Sequence, residues 1–308
     1  MKKLILILLL LSLLIISSCG NEVSKEPKIY VSIITHSPSS ESGKYPDFIN
    51  DEDSFFEHRE GIVEFAKGLH DAGAKYNFQT EWNFLLAAIK YDKGTELTNG
   101  KNMFRYFTED LGFEVDCSLH GDTYNYADCA YLFEQLGVEP SYTTGGFIIA
   151  PEEDCKIDYY KNPISGKVYT NYTWQAEVLW GGATYGHVDQ EPYEASGVWK
   201  PKSCEEPYVN SPNSDLILVG SYHSGWASLN ELTQKKDSLD PNKIYTITIG
   251  TGQETLTNEK TRNNFLKNVK SYANETSSGL INWVGIKEVA NIWEEEYDSD
   301  PNVLMYQQ

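Results

Sequence analysis

Short β-branched runs alternate with amphipathic stretches from Lys28 onward, and this alternation most constrains the fold. Lys28-Ile-Tyr-Val-Ser-Ile-Ile-Thr35 opens it as a strand, because β-branched and aromatic side chains suit a pleated, packed surface. From Asp53, residues Phe55, Phe56, Ile62, Val63, Phe65, Ala66 and Leu69 recur at helical spacing, with Ser54 as a cap and Gly73 as a stop. Further strands are predicted at 75–79, 113–117, 146–150, 177–180, 215–219, 243–249 and 280–284. Helices are predicted at 82–91, 101–111, 124–136, 227–236, 258–273 and 286–297. Residues 151–175 interrupt the pattern as a Tyr- and Asn-rich insert with a small hairpin around Ser165-Gly166, and 181–213 reads as a long loop. Strands that take turns with helices run parallel. Seven or eight of them over about 280 residues predict an α/β fold, a deformed (β/α)7-8 barrel with parallel strands and a small aromatic-rich insertion. No Gly-x-Gly-x-x-Gly turn follows the first strand, which counts against a doubly wound dinucleotide-binding sheet.

The chain begins Met1-Lys2-Lys3, runs apolar from Leu4 to Ile16, and continues Ser17-Ser18-Cys19-Gly20. Two lysines before an apolar run too short to span a bilayer match the first regions of an export signal. Small residues directly before a cysteine, with Ile16 three places upstream, resemble a bacterial lipoprotein signal. The resemblance implies that residues 1–18 are removed and that Cys19 carries lipid. Residues 19–27 are then a tether and 28–308 one barrel domain. Acyl chains on Cys19 would hold the protein at the cell envelope, on the outer membrane or cell surface, without a transmembrane helix.

A formal net charge of −20 argues against nucleic acid or anionic lipid as a partner. It is compatible with neutral ligands, and 13% aromatic residues suit the faces of sugar rings. Besides Cys19 the cysteines are Cys117, Cys129, Cys155 and Cys204, an even set that allows three disulfide connectivities. Local spacing favours Cys117 with Cys129 and Cys155 with Cys204. A zinc site built from these four is disfavoured, because no Cys-x-x-Cys pair exists.

Four of the six histidines, His36, His120, His187 and His223, stand just past predicted strands, while His58 and His70 fall on a helix face. In a β/α barrel, functional groups collect at the C-terminal ends of the strands. Reading that rim in order gives His36, Gln79 and Glu81, Asp116 and His120, His187 with Asp189, His223, then Gln253 with Glu254. Imidazoles and carboxylates converging there would hold a divalent metal, zinc first, which lowers the pKa of bound water to about 7. A single histidine after a strand is more often a hydrogen-bonding loop residue; the repetition is the signal. In the insert, Tyr159, Tyr160, Tyr169, Tyr172 and Trp174 form either a stacking platform for sugars or a hairpin packed on the barrel.

The block Gly112-Phe-Glu-Val-Asp-Cys-Ser-Leu-His-Gly-Asp122, with Leu136-Gly-Val138 and Gly145-Gly-Phe147, resembles the polysaccharide deacetylase group of the glycoside hydrolase/deacetylase barrel superfamily. His120 falls at the first position of that family's His-x-x-x-His motif and Tyr124 at the second. On this resemblance Val198-Trp-Lys-Pro201 would occupy the place of the family's substrate-side Arg/Trp-Pro loop. The resemblance implies a metal-dependent hydrolase that removes N- or O-acetyl groups from a polysaccharide. On this reading His36, His120 and His187 are the metal ligands, and Asp116 or Asp189 is the base. Tyr124, Trp180, Trp199 and His223 are the substrate-side residues. The chain departs from the family where its first strand ends Thr35-His36 instead of Asp-Asp, and where Gly250 stands in place of a histidine. The rival reading is a non-enzymatic, lipid-anchored glycan-binding protein on the same barrel.

Overall fold

The computed structural model describes residues 26–36, 46–119, 123–147, 155–181, 193–221 and 225–307. The strands are β1 (Lys28–His36), β2 (Asn77–Thr80), β3 (Glu114–Cys117), β4 (Thr143–Phe147), β5 (Ile164–Ser165), β6 (Thr173–Trp174), β7 (Val178–Gly181), β8 (Tyr193–Trp199), β9 (Ile217–Gly220), β10 (Ile244–Thr251), β11 (Ile281–Trp283) and β12 (Asn302–Gln307). Helices of eight residues or more are α1 (Glu52–Asp71), α2 (Trp82–Tyr91), α3 (Tyr126–Gln135), α4 (Trp226–Gln234), α5 (Glu259–Ser271) and α6 (Ile286–Glu296). The parallel α/β architecture is as the sequence alternation requires. Differences are local. α1 is capped by Asp51, which accepts from the Ser54 backbone N–H and hydroxyl, so Ser54 is the donor and not the cap. The segment predicted as a helix over 101–111 is a single turn at Met103–Arg105 that widens into a π-helix at Tyr106–Asp110.

Among the described residues eight strands run parallel: two arcs, β10-β1-β2-β3 and β9-β7-β4, make the barrel wall, and β11 pairs with the beginning of β1. Two seams join the arcs without a regular ladder. At the first, the Asp116 carboxylate on β3 accepts from the Thr143 N–H (3.4 Å) and Ser141 hydroxyl (2.8 Å) beside β4. At the second, the Thr248 N–H of β10 donates to the Ser221 carbonyl just past β9 (3.0 Å), and Thr246 Oγ1 donates to the Gly220 carbonyl (2.6 Å). The antiparallel pair β8 and β12, which was not anticipated within and beyond the long loops, wedges into this seam. Ser196 and Gly197 of β8 bond Thr246, and the Asn302 amide donates to the Ile244 carbonyl (2.6 Å). Gly197 has φ +99°, and a side chain there would collide with the Asn302 carbonyl, so only glycine admits this crossing.

Two apolar layers follow from the pleat. Outward residues such as Ile29, Val31, Ile33, Phe78, Val115, Leu218 and Ile247 pack under the helices. Inward Tyr30, Ile34, Val178, Trp180, Ile217, Val219 and Ile244 form a second cluster with Ile286, Val289, Ala290 and Trp293 of α6. α6 therefore seats its apolar face on the inside of the barrel instead of its outer wall. Its attachments all fall at strand beginnings. Glu114, the first residue of β3, accepts from the N–H groups of Ile286 (2.7 Å), Lys287 (3.2 Å) and Glu288 (3.0 Å). Lys287 pairs with Glu177 just before β7, and Glu296 with Lys28 at the start of β1. α6 covers the N-terminal end of the barrel, opposite the C-terminal rim.

Candidate active site at the barrel mouth

Period-two alternation turns Tyr30, Ser32, Ile34 and His36 inward on β1, Asn77 and Gln79 on β2, and Glu114 and Asp116 on β3. Strand register then sets two rungs. His36, Gln79 and Asp116 lie side by side on the upper one, and Ile34, Asn77 and Glu114 on the lower. The His36 ring meets the Trp180 ring of β7 edge-on, with centroids 5.9 Å apart and planes at 87°. Trp180 is anchored by its indole N–H on Thr248 Oγ1 (2.8 Å). Glu81, Ser118 and Ser221, each just beyond a strand end, are also buried.

A buried polar chain runs down from the mouth. Asn77 Nδ2 donates to Asp116 (2.6 Å) and Glu114 (3.1 Å), so one amide links both carboxyls. Burial lifts Asp116 to about 7, the Glu114 charge adds to the rise, and hydrogen bonds from Asn77, Ser141 and Thr143 oppose it. Burial also raises Glu114, against the pull of the N–H groups it caps. A cavity of about 10 Å³, room for one water, touches Asp116 and Thr143 at the first seam. Gln79 is 0% exposed, and neither atom of its amide has a protein partner among the described residues. It lies against Gly145 of β4, where a Cβ would collide with Gln79 Oε1.

Of the residues singled out from the sequence, the structure sets His36 against Trp180 and puts His36, Gln79 and Asp116 on one rung across three strands. Tyr124 is buried near the end of β3 and stacks on Trp82, with centroids 5.4 Å apart. Trp199 is fully buried among the outward-facing core, its indole N–H on the Pro207 carbonyl (2.7 Å), away from the inward set. His120, His187, Asp189, His223 and Cys19 lie outside the described residues. Both favoured cysteine pairs are joined, with Cα separations of 6.1 Å for Cys117–Cys129 and 5.7 Å for Cys155–Cys204. His58 is buried on α1, where burial lowers it to about 4, and His70 is exposed. The insert forms the β5–β6 hairpin, and its rings pack: Trp174 stacks on Tyr126 at 5.3 Å and Tyr169 meets Tyr131 at 4.0 Å. Packing is the use of these rings, while Tyr159 is 49% exposed. Asn77, Glu114 and Ser141 went unmarked in the sequence. The signal for the first two was present as polar residues two apart, Asn77/Gln79 and Glu114/Asp116, inside otherwise apolar strands.

Among the described residues no group of three His, Cys, Asp or Glu side chains is placed to hold a metal. His36 supplies one imidazole, and the oxygens of Asp116 are taken up by Asn77, Ser141 and Thr143.

No protein-family model matches the chain, and no curated protein sequence matches it. Solved structures do resemble it. A protein named as a glycoside hydrolase/deacetylase from Parabacteroides distasonis superposes with TM-score 0.51 at 12% identity, covering 91% of this chain and 74% of that one. The allantoinase Puue gives TM-score 0.52 at 8% identity, covering 89% and 92%. A probable polysaccharide deacetylase from Pseudomonas aeruginosa gives 0.51 at 8% identity, covering 87% and 92%. At these identities the likeness is one of fold: the chain has a parallel α/β fold of the (β/α) barrel kind.

Proposed function

We propose that this protein is a carbohydrate-active hydrolase of the deacetylase type that works at the C-terminal mouth of its barrel. The observation that carries the reading is the rung of His36, Gln79 and Asp116 facing Trp180, in a barrel covered at its other end by α6. Asp116, lifted to about 7, is poised to take and return a proton at neutral pH, as removal of an acetyl group requires. The Gln79 amide offers a donor and an acceptor to an acyl or hydroxyl group entering the mouth. Trp180 gives a flat apolar wall beside His36.

The described donors do not by themselves make a metal site, so no step is routed through one. Zinc held by His36 together with His120 and His187 is part of the proposal, and a bound metal would polarise the acyl carbonyl. Export and anchoring through Cys19 are proposed from the leader pattern, and the two disulfides fit an oxidising compartment. One observation favours the rival glycan-binding reading: both Asp116 oxygens are engaged in stitching β3 to β4.

Metal analysis of the purified protein and acetate release from acetylated polysaccharides separate the readings. Stoichiometric zinc that is lost in His120→Ala, with acetate released by the wild type and not by the variant, supports the hydrolase. A metal-free protein that binds glycan and releases no acetate overturns it in favour of the binding protein.

A further inference from the structure

An aromatic surface does exist, but on the outer wall. Between α4 and α5 lies a groove of about 320 Å³ lined by Trp226, Ala227, Asn230, Asn268, Ser271 and Tyr272. The Trp226 and Tyr272 rings are half-buried and near parallel, 8° apart with centroids at 6.1 Å. Trp226 is braced by the buried Phe265, with centroids 5.1 Å apart. Asn230, Asn268 and Ser271 are exposed, and the Ser271 hydroxyl donates to the Asn268 carbonyl (2.6 Å).

We propose that this groove binds a neutral oligosaccharide at a site separate from the barrel mouth. Flat aromatic rings fixed by packing receive the C–H faces of pyranose units at small entropic cost. Neighbouring amides match vicinal hydroxyls, because each presents a donor pair and an acceptor. None of the six lining residues carries charge, so an ionic ligand gains nothing here, and the net charge of −20 repels acidic glycans. The volume suits a short stretch of chain, with the remainder in solvent. Such a site holds polymeric ligand on the protein whether or not the mouth is catalytic.

Isothermal titration of the full chain with cellohexaose, chitohexaose and maltohexaose tests this. At least one hexaose should bind, and Asn230→Ala/Asn268→Ala should weaken it about tenfold, the worth of one or two net hydrogen bonds. Trp226→Ala should weaken it further. Because Trp226 also packs on Phe265, the exposed asparagine pair is the deciding variant, with its fold checked by circular dichroism. The proposal is overturned if no hexaose binds at millimolar concentration, or if the asparagine double variant binds as wild type. Zinc content and acetate release do not enter this test, so its failure is distinct from failure of the hydrolase reading.

Discussion

Asp116 both closes the barrel wall and shares a rung with Gln79, its neighbour, and His36, two strands away. The folded protein keeps a proton on it up to about pH 7, whereas the unfolded chain releases that proton near 3.8. Its contribution to stability is therefore full below about pH 4 and is lost as pH rises through 7, a change on the order of a few kcal/mol. Glu114, also raised, adds to the same slope. Asp116→Asn should flatten the decline in urea midpoint between pH 5 and 7, and a variant that keeps the wild-type slope would show that the titrating group lies elsewhere. The importance of Asp116 was legible from its place at a strand end. The identity of its partners was not, since Asn77 and Ser141 are distant in the chain and meet it only through strand register.

At the scale of elements, α6 shows how an ordinary amphipathic helix can take an unusual place. Its apolar stripe of Ile286, Val289, Ala290 and Trp293 is plain in the sequence, but the stripe does not say which face of the sheet it covers. Glu114 decides that by bonding three of the N–H groups that every helix N-terminus leaves without a partner. Glu114→Ala should lower stability by about 2–4 kcal/mol, and Glu114→Gln by less, because an amide oxygen still caps. Equilibrium urea denaturation checks this; a loss below about 0.5 kcal/mol would mean α6 is held without its cap. The second element-scale device is the Cys155–Cys204 bridge, which spans 49 residues and ties the insert to the segment after β8. Its removal in Cys155→Ala/Cys204→Ala should cost about 4 kcal/mol through freedom gained by the unfolded chain. The midpoint of the double variant should no longer respond to a reductant at that bridge.

For the whole molecule, the strand–helix alternation determined the class of fold, because parallel strands joined by helices bury both faces of a sheet only in a few ways. The strand-end pattern determined which rim to inspect, and local cysteine spacing favoured the pairing found. These are local properties, carried by neighbours along the chain. Only the tertiary structure decided that α6 covers the N-terminal end of the barrel, that a carboxylate closes one seam, and that β8 and β12 wedge into the other. It also decided that Trp174 and Tyr169 of the insert are packed while Trp226 and Tyr272 line a groove. Those outcomes rest on register and on contacts between residues far apart in sequence, where packing competes with exposure, and no local pattern encodes which wins.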